Sequence, residues 1–130
     1  VKVEERMNDE ELIAFLQGAK YLLLPHGWSN SLNEIENKTI FPTKTLDYLF
    51  AKRPIICLLP ENSILSDLLN KIEIAHIIHE TEISSIYNSV KTILSSIEPT
   101  TYETQSYHEL ISYFSASNVK NSWMNSVGII

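Results

Sequence analysis

Two short runs, Tyr21-Leu22-Leu23-Leu24-Pro25 and Pro54-Ile55-Ile56-Cys57-Leu58-Leu59, are apolar along their whole length. A strand with one wet face alternates apolar and polar residues. A strand apolar throughout has to be covered on both sides, which is the condition of a parallel sheet between two layers of helix. Segments of helical period stand around these runs. Asn8 and Glu11 have capping-box spacing, and Leu12, Phe15 and Leu16 follow on one face before Gly18, which predicts a helix over about 8–17. Leu46, Leu49 and Phe50 share a face of a helix starting near Thr43. Ser63 reads as the cap of a helix carrying Ile64, Leu65, Leu68 and Leu69. A third strand is expected over 74–78. Then comes the longest stripe: Thr81 as cap, followed by Ile83, Ile86, Tyr87, Val90, Ile93, Leu94 and Ile97, stopped by Pro99. A weaker pattern from Tyr107 to Val127 predicts one or two terminal helices parted near Ser115, and Val1 to Glu4 reads as the tail of a further strand. Strands alternating with helices, joined by right-handed crossovers, give an α/β domain with a mostly parallel sheet and helices on both faces.

The totals narrow the function classes. A chain of 130 residues that is 44% hydrophobic can bury one core, so residues 1–130 are read as a single domain. With 10 basic against 16 acidic residues the net charge is -6, which leaves no excess to attract a phosphate polymer and argues against nucleic acid as partner. The basic residues are uneven, however, and Lys38, Lys44, Lys52 and Arg53 crowd one stretch where a local anion site fits. The single cysteine, Cys57, sits in an apolar run as a small hydrophobe, and no internal disulfide can form, which suits the cytoplasm. No apolar run is long enough for a membrane helix, and the charged start, Val-Lys-Val-Glu-Glu-Arg, is not a signal peptide.

In open parallel sheets, ligands bind beyond the carboxyl ends of the strands. That rule selects the stretch from His26 to Pro42, where no period persists and a long loop is expected, and the start of the helix near Thr43. Thr43, Lys44 and Thr45 lie where unpaired amides and the positive end of the helix dipole favour a phosphate. Lys44 adds a mobile cation, and Asp47, one turn on, is placed to accept hydrogen bonds from vicinal hydroxyls. Spacing alone favours a plainer reading of Lys44 and Asp47 as a solvated pair worth about 0.3 kcal/mol.

The run Phe41-Pro42-Thr43-Lys44-Thr45-Leu46-Asp47-Tyr48-Leu49-Phe50-Ala51-Lys52-Arg53-Pro54-Ile55-Ile56 resembles a segment of GT-B glycosyltransferases of the group 1, family 4-like type. That segment reads Pro, a small residue, Lys, two variable residues, an acid, Tyr, Leu and Ala, then a basic or Gly residue before Pro and an apolar strand. Glu10-Glu11-Leu12 through Ala19-Lys20-Tyr21-Leu22-Leu23-Leu24-Pro25 resembles the helix and strand preceding it, and Phe114-Ser115 resembles the closing segment, so the likeness covers nearly the whole chain. It implies a Rossmann-like sheet forming part of a C-terminal, nucleotide-sugar-binding domain, with the first strands and the N-terminal acceptor domain absent. The parent enzyme would transfer a sugar from a nucleotide-diphosphate donor, with retention more than inversion, without metal or cofactor. Any membrane contact would come through the missing part, and the fragment alone would be inactive.

By the same resemblance, Asp47 binds the donor ribose and main-chain groups at the helix start hold the diphosphate, with Lys44 assisting. Phe41, Pro42, Thr43 and Thr45 complete the expected donor pocket; His26 is a pocket candidate by its place at the strand end alone, where a single His is more often a polar loop residue. The family often carries a second, sugar-contacting acid where this chain has Thr39, and a Gly where it has Pro42. Glu34 or Glu36 would then stand in for that acid from the loop. Thr39 also motivates an alternative, a degenerate domain that kept the fold and lost transfer. A third reading, a receiver-like or flavodoxin-like interaction module, lacks the acidic cluster such domains place at strand ends, for these end in Pro25, Pro60 and Glu80.

Other residues carry less. Trp28 either stacks on a ligand or packs the loop. His76 and His79, three apart in a strand, fall on opposite faces and do not share a metal. Tyr102, Tyr107, Tyr113 and Trp123 are expected to pack the C-terminal helices.

Overall fold

The computed structural model describes residues 7–26, 33–97 and 102–128. Its elements run α1 (Asp9–Gln17), β1 (Leu22–Pro25), α2 (Glu34–Thr39), α3 (Lys44–Ala51), β2 (Ile55–Leu58), α4 (Ile64–Leu69), β3 (Ala75–Ile78), α5 (Ile83–Ser95), α6 (Gln105–Tyr113) and α7 (Ala116–Ser126). The three strands form one parallel sheet in the order β1-β2-β3, with Leu24 opposite Cys57 and Cys57 opposite Ile77. The expected strand tail at Val1 to Glu4 lies outside the described residues, as do Trp28 and Pro99.

Each strand divides its side chains by alternation. Leu24, Ile55 and Cys57, all fully buried, pack with Leu49 of α3, Leu65 and Leu69 of α4, and Tyr107 and Leu110 of α6. On the opposite face the Tyr21 ring approaches His76 with centroids 6.3 Å apart, and the Tyr21 hydroxyl donates 3.3 Å to the Ile93 carbonyl of α5. Helices therefore cover both faces, as doubly apolar strands require. Cover is incomplete over β1, where Leu23 is 52% exposed although its register partner Ile56 is buried.

Capping sets most helix starts. Asn8 and Glu11 form the reciprocal box at α1, each bond between 2.9 and 3.0 Å. Ser63 caps α4 and Thr104 caps α6. Ser115 accepts from the Asn118 amide to open α7, so the terminal pattern is two helices parted where expected.

Three expectations change. The stretch from His26 to Pro42 is not all loop: Asn33 and Glu36 make the same reciprocal box as Asn8 and Glu11 and nucleate α2. The cap of α5 is Glu82, not Thr81, and the helix ends at Ser95, because the Ser96 amide and hydroxyl both donate to the Ile93 carbonyl. Ile97 thus lies past the helix, 99% exposed, and Ile83, Tyr87 and Leu94 lie on the exposed side of the stripe. Gly18 closes α1 as expected, in a right-handed conformation, and Lys52 supplies the left-handed cap of α3 at φ 55°. Tyr102 and Tyr107 are buried as expected, but Tyr113 stands exposed at the end of α6 and Trp123 on α7, a helix with no buried residue.

Candidate functional site

The chain leaves β1 at Pro25, passes through α2, and turns at Phe41-Pro42-Thr43 into α3, so the start of α3 opens at the carboxyl end of the sheet. Pro42 suits the turn, since its ring fixes φ and its carbonyl accepts the Thr45 amide at 2.9 Å. The Thr43 carbonyl accepts the Leu46 amide at 3.1 Å. Those two amides are engaged in the turn, which corrects the expectation of a fully open amide cradle and leaves the Thr43 and Lys44 amides for an anion. Thr43 is in helical conformation and makes no side-chain cap.

Lys44 and Asp47 point the site toward polar ligands. Lys44 is exposed and Asp47 half-buried on the same flank of α3, and neither has an ion-pair or hydrogen-bond partner among the described residues. The solvated pair that spacing favours does not form. The Asp47 charge is felt next door: burial first, and then the neighbouring carboxylate, push the Tyr48 phenol above its ordinary value.

The rest of the basic cluster is spent on structure. Lys38 pairs with Glu34 within α2, Lys52 pairs with Glu103 before α6, and Arg53 Nε donates 2.6 Å to the Ala19 carbonyl. Each partner's effect is visible in its carboxyl: Lys38 holds Glu34 below the usual range, and Lys52 does the same to Glu103. Of the four crowded cations, Lys44 alone remains for a ligand.

Other predicted site residues divide. Thr45 is fully buried beside Leu49 with its hydroxyl unpartnered, so it belongs to the core and not to the pocket surface, a correction arising from the α3 phase. Phe41 is half-buried and packs on the Phe114 ring, centroids 5.8 Å apart, so it anchors the turn. His26 follows β1 directly, with its Nε2 buried and unpartnered at the same end of the sheet. The Thr39 hydroxyl bonds to the Ile35 carbonyl at 2.8 Å. Glu36 is tied to the Asn33 amide and Glu34 to Lys38, so both substitute acids are committed to α2 itself.

Among the described residues no group of His, Cys, Asp and Glu is arranged to hold a metal, and no helix is long and apolar enough to cross a membrane. His79 Nδ1 lies 2.9 Å from the Leu59 carbonyl, a structural contact joining β3 to β2. A cavity of about 560 Å³ lies between α4 and α6, lined by Leu68, Lys71, Ser106, Glu109, Leu110 and Tyr113, away from the start of α3. Ligand sites in parallel sheets sit at the strand ends, where α3 opens, and the cavity shares none of those groups. Family models, curated proteins and solved structures all return no match to this chain.

Proposed function

We propose that this chain is the donor-binding part of a glycosyltransferase that moves a sugar from a nucleotide-diphosphate sugar to an acceptor, with retention of anomeric configuration. Its sheet would be part of a GT-B C-terminal domain, working in the cytoplasm beside an acceptor-binding half. The observation that carries this reading is the pairing of an uncommitted ammonium, Lys44, with an uncommitted carboxylate, Asp47, one turn apart where α3 opens at the carboxyl end of a parallel sheet. Phosphate suits the first and a ribose diol suits the second. The leaving diphosphate would be stabilised electrostatically by Lys44, the Thr43 and Lys44 amides and the α3 dipole, with no metal drawn from this chain.

Calorimetric titration of UDP-, GDP- and ADP-sugars into the intact protein and its Asp47→Ala variant tests the reading. Saturable binding of one donor, lost in the variant, is expected. Absence of binding by folded protein overturns it and favours the degenerate domain. That second reading has its own observation: the upstream position holds Thr39, and Glu34 and Glu36 are engaged within α2.

A further inference from the structure

Helix α6 lies across α3 and is fastened at both ends. At one end the Tyr107 hydroxyl donates 2.7 Å to the Leu49 carbonyl and Lys52 pairs with Glu103. At the other, Phe114 packs on Phe41, with ring centroids 5.8 Å apart and planes inclined by 37°. Phe41 immediately precedes Pro42 and Thr43, whose carbonyls hold the first turn of α3. Phe114 itself is fixed from both sides. Its amide bonds to the Ile111 carbonyl at 3.1 Å, and the next residue, Ser115, caps α7 while Asn118 Nδ2 reaches back 2.6 Å to the Ser112 carbonyl.

We propose that Phe114, at the α6–α7 junction, is a positioning residue for the first turn of α3, so that the C-terminal helices set the geometry of the Lys44 anion site. Two residues of the turn lend it no side-chain support: Thr43 makes no cap bond and Lys44 is exposed and unpaired. The aromatic pair is a directional side-chain restraint on the segment entering it, beside the buried Thr45 and the packing of Phe41 on the core, and such pairs contribute specific geometry beyond area. The bearing on donor binding rests on the glycosyltransferase reading. The mechanical coupling does not.

Amide hydrogen exchange read by NMR tests it on the intact protein without ligand. In Phe114→Ala the Thr45 and Leu46 amides should exchange about tenfold faster, while the amides of Ile55 in β2 and of Leu59 just after it, bonded to Ile74 and Ile78, keep their rates. Phe114→Tyr, which keeps the ring, should restore the wild-type pattern. Phe114→Leu, which removes the ring and keeps apolar bulk, should also speed the Thr45 and Leu46 amides, Phe41→Leu should reproduce that effect, and the double variant should add nothing, as two halves of one contact require. Unchanged rates at Thr45 and Leu46 overturn the proposal. So does equal acceleration at Ile55 and Leu59, which marks general loosening, or simple additivity of the two Leu variants. A wild-type protein that shows the exchange pattern but binds no nucleotide sugar would sink the donor reading and leave this coupling standing.

Discussion

The Tyr107 hydroxyl of α6 donates a 2.7 Å hydrogen bond to the carbonyl of Leu49, a fully buried residue in the last turn of α3. Carbonyls at a helix end lack intrahelical donors, and one sealed from water needs another partner. The Lys52 amide also bonds there, at 3.1 Å, so this carbonyl closes α3 and seats α6 together. Tyr107→Phe removes the side-chain donor and keeps the ring. A loss of about 1–2 kcal/mol is expected, measured as a lower urea midpoint at unchanged slope.

Burial raises the Cys57 thiol to about 12 from an ordinary 9.0. A raised folded value means that the unfolded chain releases its proton first. The stabilisation is thus complete below the unfolded value and is lost as pH climbs toward the folded one. Between those values stability should fall by about 1.4 kcal/mol per pH unit from this group. Burial of the Tyr48 and Tyr107 phenols acts in the same direction at the alkaline end. Cys57→Ala should flatten the pH 9–11 part of a denaturation series while costing stability at pH 7. An unchanged slope would contradict the buried-thiol account.

Lys52 occupies the left-handed cap of α3 at φ 55°, a conformation strained for any residue with a Cβ. Lys52→Gly relieves that and gives up an exposed ion pair with Glu103, which is of little worth in water. A net gain of up to about 1 kcal/mol is expected from thermal denaturation.

How much of this was legible depends on whether a feature is local. The doubly apolar strands and the Asn8–Glu11 cap are local, and they stand where the sequence places them. The box of Asn33 and Glu36 carries the same signal, but α2 is so short that no apolar stripe follows, and it reads as loop. Lys52 could not be read as a left-handed cap, because that state is imposed by the turn into β2 and not preferred by the side chain. At the candidate site Lys44 and Asp47 were visible as residue types. Their freedom from partners was not, since it depends on Glu103 reaching Lys52 from 51 residues away and on Arg53 finding Ala19. The Phe41–Phe114 contact joins segments whose pairing no periodicity encodes.

A carboxylate without a partner contributes only a little through the dipole of the helix it stands on, and that separates a binding residue from a structural one in measurement. Asp47 accepts no hydrogen bond and pairs with no cation among the described residues, so Asp47→Asn should leave the urea midpoint within about 0.5 kcal/mol of wild type. If a ribose diol donates to its oxygens, removing the charge should weaken donor binding by about 10- to 100-fold, the range of a charge-assisted hydrogen bond. Lys44→Gln should also spare stability, but its effect should differ in kind. A phosphate contact through an exposed ammonium is screened by salt, so the loss should be large at low ionic strength and shrink as salt rises. The Asp47 effect, made by directed hydrogen bonds, should persist. Titrations of both variants at two salt concentrations separate the roles, and equal salt sensitivity in the two would remove the division between phosphate and ribose.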